Sequence, residues 1–150
     1  MKIEVPDSAA MEALGAQLAQ VLLAGIIYLK GDLGAGKTTL VRGLLRGLGY
    51  TGRVRSPTYT LREPYSFDSW AVYHLDLYRL SDARDLEDLG LRDLLSEKAL
   101  LLVEWPERGS GILPDADLLI TIGHLRAGRE VSLEAVTAKG QQLLGTLQSA

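Results

Sequence analysis

Apolar positions along the chain alternate between a helical and an extended period. Met11, Leu14, Leu18, Val21 and Leu22 recur at three- and four-residue steps behind Pro6-Asp7-Ser8, which predicts an N-capped amphipathic helix. Leu40, Val41, Leu44, Leu45 and Leu48 repeat that spacing over 37–48, with Gly49 as the stop. Lys2 to Val5 reads as a short first strand. Ile26-Ile27-Tyr28-Leu29, flanked by Gly25 and Gly31, is the continuous apolar run expected of a strand buried on both faces of a parallel sheet. Leu100-Leu101-Leu102-Val103 is a second such run, and it ends in Glu104-Trp105-Pro106, where the proline forbids continuation. Thr58 to Tyr65 and Trp70 to Leu77 predict an antiparallel β-hairpin around 66–69, inserted between about 52 and 80. Ser81 to Glu97 predicts two short helical turns broken at Gly90. Leu118 to Ile122 and Glu130 to Val136 predict a strand pair around Ala127-Gly128-Arg129, and Thr137 to Leu147 a closing helix. The expected fold is one α/β domain over 1–150, a mainly parallel sheet flanked by helices with that hairpin insertion.

The composition narrows the chemistry. A chain of 150 residues, 47% hydrophobic and without cysteine, builds its core without disulfides and carries no thiolate metal site or thiol nucleophile. A net charge of -3 argues against long non-specific contact with a nucleic-acid backbone. The apolar run from Val21 to Leu29 is too short and too interrupted for a signal peptide or a membrane span, so a cytoplasmic protein without membrane attachment is expected.

Three of the 16 glycines have a local explanation. Gly31-Asp32-Leu33-Gly34-Ala35-Gly36-Lys37-Thr38 places two glycines with four residues between them, followed by lysine and a hydroxyl residue, directly after a buried strand and at the start of a helix. Shuffling this composition produces only about 0.006 such matches per chain. Residues without Cβ atoms let the backbone N–H groups of Gly34, Ala35, Gly36 and the first helical turn, through Thr39, face phosphate oxygens at the positive end of a helix dipole. Lys37 reaches the β- and γ-phosphates of ATP or ADP, and the Thr38 hydroxyl is placed for a magnesium ion.

Two acids are candidates to complete the site. Glu104 ends a buried strand, the place of a Walker B carboxylate, although a surface glutamate at a strand end has the same sequence signature. Asp76 lies mid-strand in Tyr73-His74-Leu75-Asp76-Leu77-Tyr78, where alternation puts His74, Asp76 and Tyr78 on one face; the alternative is an exposed face of a hairpin. Thr58, in Ser56-Pro57-Thr58, belongs either to a loop that senses the γ-phosphate or to an ordinary turn into a strand. His74 and His124, with no ligand cluster around them in sequence, read as structural. Tyr65, Phe67 and Trp70 are candidate exposed contact points on the hairpin, with core filling as the alternative for Phe67 and Trp70.

Gly31 to Thr39, Ser-Pro-Thr-Tyr-Thr-Leu at 56–61, His-Leu-Asp-Leu-Tyr-Arg-Leu at 74–80 and Val-Glu-Trp-Pro-Glu at 103–107 together resemble the bacterial TsaE (YjeE) family in order and spacing. The resemblance implies a small P-loop ATPase of tRNA threonylcarbamoyladenosine biosynthesis that acts with the proteins TsaB and TsaD and meets tRNA indirectly through their complex. It also implies Thr38 and Glu104 as magnesium ligands, Lys37 and the loop amides on the phosphates, and a catalytic role for Asp76. Arg129 is implied to approach the nucleotide, and Trp105 to serve either the nucleotide site or a partner surface. In-line attack of water on the γ-phosphate is the expected chemistry, with Asp76 or Glu104 orienting the water. The competing readings are a small-molecule P-loop kinase, whose lid could come only from 81–92, and a nucleotide-gated binding module with little turnover.

Overall fold

Seven strands form one mixed sheet in the computed structural model, which describes residues 1–22, 24–96 and 98–149. The strands are β1 (Lys2–Val5), β2 (Gly25–Lys30), β3 (Arg62–Ser66), β4 (Ala71–Asp76), β5 (Ala99–Glu104), β6 (Leu118–His124) and β7 (Arg129–Ala135). Their order across the sheet is β1-β7-β6-β2-β5-β4-β3. The centre, β6-β2-β5-β4, is parallel throughout, and β7, β1 and β3 add antiparallel flanks. The expected α/β class is therefore borne out, and parallel strands occupy the part of the sheet covered on both faces.

The helices are α1 (Ser8–Ala19), α2 (Lys37–Gly47), α3 (Leu91–Ser96) and α4 (Ala138–Ser149). Asp7 caps α1 by accepting a hydrogen bond from the Ala10 N–H at 2.8 Å. Val21 and Leu22, expected to continue α1, lie beyond its end; Leu22 is nonetheless buried. On one face of the sheet, Leu14 and Leu18 of α1 and Leu40, Leu44 and Leu45 of α2 pack with Ile27, Leu29, Val72, Leu100 and Leu102. Each such leucine removed from water contributes about 1.5–3 kcal/mol. The opposite face is covered by Leu86, Leu91 and Leu94, which pack on Tyr73, Leu75, Leu101 and Val103.

The region around the hairpin differs from expectation in two ways. The hairpin is no appendage: β4 runs parallel to β5 over its full length, so β3 and β4 are the far edge of the main sheet. Its first arm begins at Arg62 rather than Thr58, because 57–61 form a helical turn closed by Leu61 N–H to Pro57 O at 2.9 Å, and Leu61 then takes φ 65° to leave it. Tyr65 is buried, with its hydroxyl on the Arg55 backbone, while Phe67 and Trp70 stack at 4.8 Å and are half-buried against the core. The stretch 81–96 forms a 3₁₀ turn (Ala83–Leu86) and α3, separated by Gly90 at φ 76°; Glu97, the end of the expected segment, lies outside the described residues.

The crossing of α1 and α2 matters most for the loop, since α2 carries Lys37 and Thr38. Gly15 and Gly43 allow it: a Cβ on Gly43 would lie 2.1 Å from the Glu12 carbonyl oxygen, and one on Gly15 2.3 Å from that of Leu40. Gly43→Ala is expected to destabilise by about 1–3 kcal/mol or more, although alanine is the better helix former. Urea unfolding measures this, and an unchanged midpoint would contradict the close crossing.

Candidate functional site

The parallel centre brings the carboxyl ends of β2, β5 and β4 to one edge, where ligands of open α/β sheets collect. Leu29 pairs with Glu104 and Asp76 pairs with Glu104, so the start of the glycine loop, Glu104 and Asp76 come into line from three adjacent strands. Gly34 at φ 80° and Gly36 at φ 116° turn the loop into α2, conformations a side chain rarely adopts. A Cβ on Gly36 would also press on Met11 Cε of α1 at 3.1 Å. Ala35 is buried, and Arg129 holds the loop from behind, its Nε donating to the Ala35 carbonyl at 3.1 Å and its Nη2 to that of Gly34 at 3.4 Å.

Lys37 is buried, donates to the Gly31 carbonyl and ion-pairs with Glu104 Oε1 at 3.3 Å. Glu104 is 4% exposed, and its second oxygen, Oε2, lies 2.6 Å from His74 Nε2. Burial pushes the Glu104 carboxyl up, but the His74 hydrogen bond and the Lys37 ammonium outweigh it and hold the group below the ordinary carboxylate range. Asp76, 4% exposed, goes the other way. Burial raises its pKa, the Tyr78 N–H at 3.0 Å only partly offsets this, and the neighbouring Glu104 charge raises it further. Two adjacent carboxylates are thus pushed apart in acidity, the arrangement that separates an ionised ligand from a group able to exchange a proton.

Trp105 follows Glu104 in the left-handed conformation, φ 56° and ψ 50°, which costs about 1–3 kcal/mol for a residue with a side chain. That turn sets its ring 5.6 Å from Lys37 Nζ and 5.0 Å from the exposed Tyr78 ring. A cavity of about 500 Å³ opens here, lined by Gly34, Gly36, Lys37, Thr38, Thr39, Ser56, Thr58, Asp76, Tyr78, Glu104 and Trp105. Ser56 and Thr58 hydroxyls lie 2.7 Å apart on its wall, Thr58 in the 57–61 turn rather than in a strand. A second cavity of about 360 Å³ shares Gly34, Gly36 and Thr39 and is lined on its far side by Pro6, Asp7, Ser8, Met11, Gly128 and Arg129.

The residues expected from sequence therefore meet, with three refinements. Asp76 is the last residue of an interior strand and is buried, so the exposed-hairpin alternative does not hold. Arg129 meets the loop at the Ala35 carbonyl, from the side of the second cavity. His74 was the residue sequence reasoning missed. It is fully buried against Glu104, and the available signal was its place two residues before Asp76 on the same strand face. Asp7, Ser8 and Met11 carried only a helix-start signal. His124 is exposed and lines a further cavity of about 330 Å³ together with Lys37, Trp105 and Glu107.

Fold and loop together define a P-loop domain of the nucleotide-binding class. Residues 5–131 match the family model described as threonylcarbamoyl adenosine biosynthesis protein TsaE, and the chain belongs to the TsaE family. It is 44% identical over 151 residues to the tRNA threonylcarbamoyladenosine biosynthesis protein TsaE of Haemophilus influenzae, covering 97% of this chain and 96% of that one. The protein of the same name from Bacillus subtilis is 40% identical over 121 residues, covering 79% of this chain and 74% of the relative. The crystal structure of Bacillus subtilis YdiB superposes with a TM-score of 0.84 at 29% identity, covering 99% of this chain and 94% of that one. Among the described residues, no helix is long and apolar enough to cross a membrane.

Because the folded pKa of Asp76 is raised, the native state holds its proton to higher pH than the unfolded chain, and stability declines as pH rises through the folded value. Asp76→Asn keeps an oxygen for the Tyr78 N–H and removes the buried charge. Its melting temperature should exceed the parent's at pH 7, with the advantage shrinking as pH falls toward the ordinary carboxyl range; a thermal melt series showing no gain at pH 7 would contradict the assignment.

Proposed function

We propose that the chain binds magnesium–ATP in the larger cavity and hydrolyses it in the service of tRNA threonylcarbamoyladenosine biosynthesis. The observation that carries this reading is the convergence of Lys37, Thr38 and two buried carboxylates on one glycine loop. The pathway comes from the names of the relatives.

The donor set suits a metal that arrives with its nucleotide. One hydroxyl and one carboxylate leave most of a magnesium shell to phosphate and water, as is usual for this ion. No group of three or more acidic or imidazole side chains able to hold a metal by itself occurs among the described residues. Two acids against Lys37 leave the pocket short of positive charge, which a divalent cation supplies. Magnesium, when bound, neutralises phosphate oxygens and the charge that develops on them.

On this reading the chain's own residues share the work. The amides of Gly34, Ala35, Gly36 and Thr39 hold phosphate oxygens. Lys37 turns from Glu104 to the terminal phosphates, and Thr38 and Glu104 hold the metal. Asp76, with its raised pKa, orients the water and takes its proton. Thr58 stands on the wall facing the γ-phosphate. Trp105 closes one side of the pocket, while Arg129 fixes the loop and, with Pro6 to Met11, borders the cavity where we place the nucleoside. TsaB and TsaD are the proposed partners, through which the nucleotide cycle reaches tRNA in the cytoplasm. The 81–96 stretch buries Leu86, Leu91 and Leu94 in the core, which favours this reading over a kinase with a mobile lid there.

Phosphate release and nucleotide binding, measured on the same variants, test the reading. Lys37→Ala and Thr38→Ala should each reduce hydrolysis by about 10²-fold or more with the circular dichroism spectrum retained. Glu104→Ala should weaken magnesium-dependent binding as well as turnover, whereas Asp76→Ala should slow turnover and leave binding near the parent's. Hydrolysis at the parental rate in Lys37→Ala would end the proposal. TsaB, TsaD and tRNA, added together, should accelerate phosphate release by the parent chain.

A further inference from the structure

The mechanism above leaves His74 without a task, yet its imidazole is fully buried and 2.6 Å from Glu104. Both oxygens of that carboxylate are engaged, Oε2 with His74 Nε2 and Oε1 with Lys37 Nζ. A carboxylate accepts, so Nε2 carries the hydrogen and donates. Nδ1 is buried and meets no hydrogen-bond partner among the described residues. A histidine kept for packing satisfies both nitrogens or gives way to an apolar residue, because a buried polar atom left without a partner costs about 1–3 kcal/mol. This one bears that cost for a single contact.

The ring is also well placed to hold its partner still. His74 lies in the interior of β4, paired with Leu102 of β5, between Val72 and Asp76 on the same face. Its position is set by the sheet, whereas the terminal torsion of a glutamate is broad and fixed only by what its oxygens touch.

We propose that His74 is a positioning residue for Glu104: its Nε2–H pins Oε2 so that Oε1 alone exchanges partners, between Lys37 and the metal of the bound nucleotide. The proposal rests on the reading of Glu104 as a metal ligand. It assigns His74 the orienting role that groups behind metal ligands commonly play, where mutation costs about 10–100-fold in metal affinity or activity.

Two variants isolate the donor. His74→Leu removes it while keeping an apolar filling, and His74→Gln places an amide N–H close to the position of the imidazole Nε2. Calorimetric titration with ATP, in EDTA and across a magnesium series, gives the gain in affinity due to the metal. In His74→Leu that gain should fall about 10–100-fold, with the EDTA affinity within about 2-fold of the parent's, and His74→Gln should recover most of it. A full gain in His74→Leu overturns the positioning role while leaving Glu104 as ligand. A parent with no magnesium-dependent gain overturns the ligand assignment and this inference with it. Should His74→Leu fail to fold, the comparison of His74→Gln with the shorter donor in His74→Asn decides, equal gains overturning the proposal. Independently of nucleotide, long-range nitrogen–proton correlation should show the His74 hydrogen on Nε2, with its resonance moving in Glu104→Gln; a hydrogen found on Nδ1 alone overturns the hydrogen bond.

Discussion

A carboxylate buried at the end of a central strand is the constraint on which this structure turns. Glu104 lies at the carboxyl end of β5, 4% exposed, where an unpaired charge would be several kcal/mol unfavourable. It is tolerated because β4 delivers His74 to one oxygen and α2 delivers Lys37 to the other. Both deliveries depend on the parallel registers of β2, β5 and β4 and on the glycine-mediated approach of α1 to α2. An apolar residue at 104 would satisfy the fold at lower cost, since buried ion pairs rarely add net stability. The arrangement is therefore better understood as a site the fold supports than as a device that supports the fold.

Local strain is confined to the same edge. Among the described residues, the only non-glycine residues with positive φ are Leu61 and Trp105. One releases the 57–61 turn into β3 and the other turns the chain immediately after Glu104. Each re-aims a short segment toward the cavity, bringing Thr58 onto its wall and the Trp105 ring beside Lys37. The surrounding frame is regular and well buried, so it can hold such conformations.

The features legible in sequence were those encoded locally. The glycine loop, the two buried runs and the cap at Asp7 each draw on a handful of adjacent residues, and each falls where its pattern indicates. What sequence could not supply was pairing between distant strands. Asp76 looked mid-strand on a hairpin because Trp70 to Leu77 alternates, and alternation cannot tell an edge strand from one paired on both sides. Once β4 joins β5, His74, Asp76 and Glu104 fall on one face, and a histidine that read as structural becomes the neighbour of the acid. The turn at 57–61 was hidden for a related reason: its Thr and Tyr residues favour strands, and only Pro57 and the positive φ of Leu61 mark the departure.

The opposed acidities of the two carboxylates follow from the same geometry rather than from any difference in their chemistry. Glu104 meets a donor on each oxygen, whereas Asp76 has the Tyr78 N–H and, beside it, the charge of Glu104. Drawing Lys37 away toward phosphate removes a cation from both acids at once, so a polyphosphate entering alone would face two carboxylates with little to offset them. On the proposed reading a divalent cation entering with the nucleotide replaces the charge that Lys37 withdraws, which couples metal to nucleotide without a preformed metal cage. His74 keeps its hold on Glu104 through that exchange, because its contact is with the oxygen Lys37 does not use. The carboxylate can then change partners without changing place.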